Sequence, residues 1–332
     1  MNQDESEKEQ DKMMTSRSFG WDIYCGNPLD TERMYRNNPE EFEHQLNEFK
    51  TGLSSRSCEY LQKYINRILA LPVKVGNHIL LHIPDTVDFF TDEEKIVLAN
   101  RDYIQKTLYA QYSERFDLGG IDFNLHIFYY ECGLVFLPDE IKTGMQSKIA
   151  VDCGAYTGDS VLMLSKYGFS RIIAFEPIPE IFSALGKNIA RNRLSENVIC
   201  VNAAVGAKNS RIHMEFRSEG GSSIADSNET GVEVKVVKLD THLKKYSGRV
   251  GLIKMDVEGV EEDALAGAVE TIKSSKPVLL ISVYHNWIAP GQMFRIKKFI
   301  EQLNLGYRFL FRASQPDVNL ITEYVLIAYA EQ

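Results

Sequence analysis

The sequence predicts an α/β protein built on a mostly parallel, twisted sheet with an antiparallel final strand, and three observations carry that prediction. From residue 149 onward, short apolar runs alternate with amphipathic helical stretches, the pattern of repeated strand–helix crossovers. The first run enters a glycine turn, Val151-Asp152-Cys153-Gly154-Ala155-Tyr156-Thr157-Gly158-Asp159-Ser160, and a helical stretch over residues 159–167 leaves it. The second run ends in Glu176, about 20 residues after the turn, where such folds place an acid against a ribose.

Residues 1–18 are polar and charged, with little to bury, and are predicted to be a disordered tail. Residues 19–120 form a helical accessory or lid region. Pro39 with two glutamates marks a first helical turn, Phe42, Leu46 and Phe49 share one helix face, and Thr91-Asp92-Glu93-Glu94 opens a helix running to about Tyr112. The aromatic residues of this region are assigned to the core. Residues 121–332 form the α/β domain. It opens with a β-hairpin over residues 121–137, turning at Cys132-Gly133, because aromatic and β-branched residues alternate there.

Beyond the glycine turn, strands are predicted at 171–177, 198–205, 252–257 and 278–284, with helices at 179–192, 261–274 and 293–303. Residues 212–216 and 232–239 alternate and form an extra hairpin, joined by a loop rich in Gly, Ser and Asn. The last two strands, 307–311 and 323–330, are linked by about a dozen residues with no helical pattern. A parallel pair needs a longer, usually helical crossover, so these two are predicted to be antiparallel.

Composition narrows the function. The 332 residues carry a net charge of −9, which disfavours general nucleic-acid binding. The five cysteines are an odd number with no Cys-x-x-Cys pair, as expected for reduced thiols in a cytoplasmic protein. No apolar run is long enough to span a bilayer, and the polar N-terminus lacks the apolar stretch of a signal peptide.

The chemistry gathers at the strand ends. Gly154 permits a tight turn, and Gly158 lets the helix start pack closely. A dinucleotide fingerprint needs glycine where Tyr156 stands, so this loop suits a cofactor without phosphates and with a charged amino-acid end. Asp152 orients the loop or receives an ammonium group, and the Glu176 carboxylate can accept from both hydroxyls of a ribose. Asn202-Ala203-Ala204 ends the third strand with small residues that leave room for a flat ring. In Lys254-Met255-Asp256-Val257-Glu258-Gly259-Val260-Glu261, the period of two puts Lys254, Asp256 and Glu258 on one face if the strand persists. Charges in a central parallel strand are either paired, as in an internal bridge from Lys254 to an acid, or part of a site. His285 follows the fifth strand and is the one histidine predicted at the ligand edge. Asp256, Glu258 and His285 could hold a divalent ion, but without fixed spacing no metal site is predicted.

These motifs resemble the FkbM family of class I S-adenosylmethionine-dependent methyltransferases over residues 149–330. The resemblance rests on Val151-Asp152-Cys153-Gly154-Ala155-Tyr156-Thr157-Gly158, Ala174-Phe175-Glu176-Pro177, Asn202-Ala203-Ala204-Val205-Gly206, Leu239-Asp240, and Ile253 to Glu261 with its Asp-Val-Glu-Gly-x-Glu. In that family the following strand often ends in an acid and then a histidine, whereas Ser282-Val283-Tyr284-His285 keeps only the histidine.

The resemblance implies a Rossmann-like methyltransferase fold over residues 121–332. It also implies in-line methyl transfer from S-adenosyl-L-methionine to a hydroxyl of a sugar, glycan or secondary metabolite, with S-adenosyl-L-homocysteine as product. The cofactor would meet Asp152, Gly154, Ala155, Tyr156, Thr157, Gly158, Ser160, Glu176, Pro177, Asn202, Ala203, Ala204 and Asp256. His285 is the expected base, with Asp256 or Glu258 as alternates or as its orienter, and Lys254 would steady a carboxylate or an acceptor oxygen. An NAD-type oxidoreductase, disfavoured by Tyr156, and a catalytically silent cofactor-binding partner protein are the competing expectations.

Overall fold

The structure is a computed structural model describing residues 18–19, 38–70, 73–75, 78–80, 89–216, 222–224, 231–284, 291–316 and 323–331. Among these, a seven-stranded sheet forms the centre. Its strands are β1 (Ile149–Cys153), β2 (Arg171–Phe175), β3 (Val198–Val201), β4 (Val250–Met255), β5 (Val278–Ser282), β6 (Tyr307–Gln315) and β7 (Glu323–Ala330). The order across the sheet is β6-β7-β5-β4-β1-β2-β3. Strands β1 to β5 pair in parallel, while β7 runs antiparallel to both β5 and β6, as the short final link predicts. The order reverses beside β1, and in open α/β sheets the crevice at such a reversal is where ligands bind.

β1, β4 and β5 are buried along their whole length, which is why they read as largely apolar runs, with Asp152 and Lys254 as the charged exceptions. Side chains alternate between two cores. Val151, Cys153, Ile253, Met255, Leu279, Ile281, Leu326 and Ala328 belong to one. Ala150, Leu252, Leu280, Val325 and Ile327 belong to the other. The first core is closed by helices α1 (Pro39–Lys50) and α2 (Ser55–Ala70). Phe49 meets Phe294 and Phe311 edge-on, and Tyr64 lies against Tyr324 with ring centroids 4.4 Å apart. The aromatic residues Phe42, Phe49, Tyr60 and Tyr64 are therefore core, as their helical spacing suggests. Helix α3 (Asp92–Ser113) starts with the expected capping box between Thr91 and Glu94.

The second core is covered by a segment that departs from the sequence expectation. Residues 121–137 are not a β-hairpin. They form a short helix, α4 (Leu125–Phe128), and a 3-10 turn, Glu131–Phe136. Asn124 starts α4 by accepting from the Ile127 N–H at 3.0 Å. Four consecutive residues, Leu125 to Phe128, are buried, so the alternation that suggested a strand does not sort one face from the other. The turn at Cys132-Gly133 is real: both residues have positive φ.

Other boundaries shift for local reasons. The third predicted strand divides into β3 and Ala204–Val205. The latter joins a second, four-stranded sheet with Val232–Val237, Ser210–Phe216 and Ser222–Ile224. The expected hairpin of that sheet is antiparallel, with an additional strand inside its connecting loop. The helix over 261–274 breaks into Glu261–Ala266 and Val269–Ser275 at Gly267, where a Cβ would lie 2.1 Å from the Gly206 carbonyl oxygen. The helix leaving the glycine turn is α5 (Asp159–Leu164), followed by a 3-10 turn. Helix α6 (Pro179–Arg191) and helix α7 (Gln292–Gln302) fall where expected. Of the expected tail over residues 1–18, residues 1–17 lie outside the described residues, and Ser18 pairs with Leu80 in a short antiparallel strand; residues 30–37, within the expected helical region, also lie outside them.

Candidate active site

The glycine turn is held by close backbone packing. Gly154 has φ +81°, and a Cβ there would sit 1.9 Å from the Asp256 carbonyl oxygen, so the turn after β1 lies directly against the turn after β4. Tyr156 is also in the left-handed region, at φ 46°. Its N–H donates to Glu176 Oε2 at 3.1 Å, and the Ile178 N–H donates to Oε1 at 2.9 Å. Each Glu176 oxygen thus has a second lone pair uncommitted in this pair of bonds. Burial pushes the Glu176 pKa up to about 7, against the two N–H donors and Lys254, with Asp152 adding to the rise. Asn202 donates to the carbonyl oxygens of Glu176 and Pro177, both at 2.9 Å, and so ties the ends of β2 and β3 together. Ala203 is buried, and Ala204 is partly exposed.

Asp152 and Lys254 are direct neighbours across β1 and β4. Their charges meet at 3.1 Å with both side chains buried, and Lys254 also donates to the Gly154 carbonyl oxygen at 3.1 Å. Burial works against the ammonium, but Asp152 and Asp256 outweigh it and hold its pKa above the ordinary lysine value. The internal bridge weighed from the sequence is therefore present, and the Lys254 ammonium faces the loop rather than standing apart from it. Ser160 donates to Asp152 Oδ2 at 2.5 Å. Asp159, which the sequence did not single out, is buried beside them. Burial pushes its pKa up to about 7, opposed by Lys254 and the Ser160 N–H. Thr157 Oγ1 is buried with no hydrogen-bond partner among the described residues.

β4 ends at Met255, so Asp256 and Glu258 do not extend the strand face of Lys254. They lie in a turn in which Glu258 has φ 56°. Glu261 braces that turn. Its Oε1 accepts from the Val257 and Gly259 N–H groups at 3.2 and 3.3 Å, and Gln292 donates to its Oε2 at 3.0 Å. Asp256 Oδ1 accepts from the Tyr284 hydroxyl at 3.1 Å. Burial, then the fields of Asp256, Glu323 and Glu258, hold the Tyr284 hydroxyl protonated well above its usual range.

His285, the expected base, lies outside the described residues. A different histidine, His126 of α4, is buried near this edge. Its Nδ1 is 3.4 Å from Glu323 Oε2, and among the described residues neither ring nitrogen has a hydrogen-bond partner. Burial pushes its pKa down to about 4, with Asp256 opposing and Lys254 reinforcing. No spacing or motif signals this histidine, because residue 126 reads in the sequence as part of a strand. Among the described residues, no group of three or more His, Cys, Asp or Glu side chains is gathered as a metal site.

The strand order and the acid-bearing turns after β1, β2 and β4 define a Rossmann-like methyltransferase fold. Residues 152–309 match the family described as methyltransferase FkbM domain. Methyltransferase sdnD of Sordaria araneosa is 26% identical over 155 residues, covering 36% of this chain and 60% of that protein. Methyltransferase 1 of Beauveria bassiana (strain ARSEF 2860) is 30% identical over 142 residues, covering 35% of this chain and 57% of that protein. A crystal structure of methyltransferase FkbM from Methylobacillus flagellatus KT superposes with a TM-score of 0.54 at 19% identity, covering 89% of this chain and 60% of that one. The chain thus spans about 60% of the length of the relatives it matches.

Proposed function

We propose that the chain is an S-adenosylmethionine-dependent O-methyltransferase acting on a hydroxyl of a sugar or of a secondary-metabolite-like small molecule. The observation that carries this reading is the Glu176 carboxylate. It is buried at the end of β2 and fixed by one N–H on each oxygen, which leaves acceptor capacity suited to a vicinal diol. The buried Thr157 hydroxyl, without a partner in the adjoining turn, is a second group that such a ligand would satisfy. On both counts the residues fit the cofactor. When bound, it supplies an activated methyl group on a sulfonium.

The chain's part is to bind and align. Glu176 clasps the ribose, and Asn202, Pro177, Ala203 and Ala204 shape the wall beside it. Gly154 to Gly158 cradle the amino-acid end, while Asp152 and Ser160 hold that turn in place. Lys254 pairs with Asp152 beneath that turn. Asp256 stands between the cofactor turn and the acceptor side, with Glu258 in the same turn; His285 follows β5 and would join this side from the sequence. Residues 121–332 serve as the methyltransferase domain and the helical region before them helps choose the acceptor. The net charge of −9 favours a small-molecule or glycan acceptor over nucleic acid. Among the described residues no helix is long and apolar enough to cross a membrane, and we assign the protein to the cytoplasm.

Calorimetry with S-adenosylhomocysteine and with NADH tests the cofactor. Binding of the first and not the second is expected, and the reverse would overturn the reading. Transfer of labelled methyl to a panel of hydroxylated sugars and secondary-metabolite alcohols then tests the acceptor class. Product formed only on nitrogen or carbon nucleophiles would overturn that part.

A further inference from the structure

We propose that His126 is the general base of the methyl transfer, and that Glu323 positions it. The inference rests on the reading of the site as a methyltransferase pocket and names the acceptor-side machinery that reading leaves open.

Strand parity brings the groups together. Asp152, Lys254, Ser282 and Glu323 are each an even number of residues from Ala150, Leu252, Leu280 and Val325, the β1, β4, β5 and β7 members of the second core. Their side chains therefore belong to the sheet face covered by α4 and the turn at Cys132. Just past the ends of β4 and β5, Tyr284 donates to Asp256 at 3.1 Å, and His126 Nδ1 lies 3.4 Å from Glu323. Asp256 and Glu323 both act on the Tyr284 hydroxyl, and Asp256 and Lys254 both act on the His126 ring. Asp256 is also the residue whose carbonyl oxygen abuts Gly154. One end of this cluster thus touches the cofactor turn, and the other carries a buried imidazole.

An imidazole buried with neither nitrogen bonded among the described residues loses hydrogen bonds that water would supply. A reacting hydroxyl would recover part of that. The α4 backbone is itself anchored: the His126 N–H donates to Gln315 Oε1 at 3.3 Å. Burial keeps the ring neutral, so a lone pair is available. With Glu323 beside Nδ1, the proton rests on Nδ1 and Nε2 is the basic atom. As the acceptor oxygen bonds to the methyl carbon, its proton passes to Nε2. The electron pair of the breaking S–C bond stays on sulfur, giving the neutral thioether. The carboxylates of Glu323 and Asp256 stabilise the imidazolium until it releases the proton to solvent.

The test is nitrogen-15 NMR of histidine-labelled full-length protein, with the His126 signals identified by their loss in His126→Asn or, should that variant not fold, His126→Gln. At pH 7 the ring is expected in the neutral Nδ1–H form, and Glu323→Gln is expected to shift protonation toward Nε2. S-adenosylmethionine and S-adenosylhomocysteine differ by one methyl and one positive charge. Exchanging one for the other should move the His126 signals more than those of His44, His213 and His242. A dominant Nε2–H form in the wild type, or a His126 signal no more sensitive to the exchange than the others, would overturn the assignment. Calorimetry on the same samples separates the two claims. Binding of S-adenosylhomocysteine with an insensitive His126 removes only the base, whereas no binding removes the cofactor reading and the base with it. In either His126 variant, affinity for S-adenosylhomocysteine should stay within about two-fold of wild type while methyl transfer falls by roughly 10²–10⁴.

Discussion

Glu176 and His126 are both buried at the same edge of the sheet, but their surroundings differ. Glu176 accepts from two backbone N–H groups contributed by neighbouring turns. His126 has no hydrogen-bond partner for either ring nitrogen among the described residues. The first belongs to a half-site around β1, β2 and β3 whose side chains are fixed by local turns: Ser160 on Asp152, Asn202 on the β2 end, Lys254 on Gly154. The second belongs to a half-site around β5, β7 and α4 made of residues far apart in the chain. One edge of a sheet can thus hold one buried polar group by backbone donors from local turns and leave another, brought in by distant segments, without a hydrogen-bond partner among the described residues.

The comparison can be broken most severely at Gly154. Gly154→Ala puts a methyl 1.9 Å from the Asp256 carbonyl oxygen and a side chain at φ +81°. It should abolish detectable S-adenosylhomocysteine binding and lower the melting temperature, because both turns must move apart. Calorimetry and thermal melting check this.

The next largest effect is expected at the buried pair. Lys254→Met leaves Asp152 without its cation and should destabilise the fold by about 3–5 kcal/mol, read from denaturant unfolding. Lys254→Met with Asp152→Leu should recover much of that stability without recovering cofactor binding. If the single variant is as stable as wild type, the pair is not what holds the turn.

Glu176→Gln sharpens the contrast. Losing a charged acceptor should weaken S-adenosylhomocysteine by roughly 10- to 100-fold, from about 1.5–3 kcal/mol per such bond. The pH dependence has a definite sign. An acid whose pKa is raised on folding, here to about 7, binds protons more tightly in the folded state. Its contribution to stability is complete below the unfolded value and is lost as pH rises through about 7. The protein without ligand should therefore lose stability between about pH 4.5 and 7, and Glu176→Gln should flatten that slope. Asp159, raised to about 7 as well, adds in the same direction. Urea midpoints measured across this range decide it.

The smallest effect is expected at Thr157. Thr157→Val removes a buried hydroxyl without a partner, so the unliganded protein should be equally or more stable. Affinity for S-adenosylhomocysteine should fall by roughly 3- to 10-fold, the value of one neutral hydrogen bond. Equal affinity in both proteins would mean that the hydroxyl does not meet the ligand.

The sequence by itself determined the parallel strands, the glycine turn with its positive-φ positions, the acid closing β2 and the antiparallel end of the sheet. These are local matters, set by burial period, by the absence of a Cβ and by link length, so they survive without knowledge of neighbours. It also pointed to the Asp-Val-Glu-Gly turn, although it carried β4 too far and so put Asp256 and Glu258 on a strand face. Only the tertiary structure decided that Lys254 pairs with Asp152, since strand register is a relation between distant segments. The same holds for α4. Residues 125–128 are buried all round, and a segment buried on every side has no period from which its conformation can be read. What placed His126 beside Glu323 and Asp256 was the packing of that segment on the sheet, and no spacing in the chain encodes it.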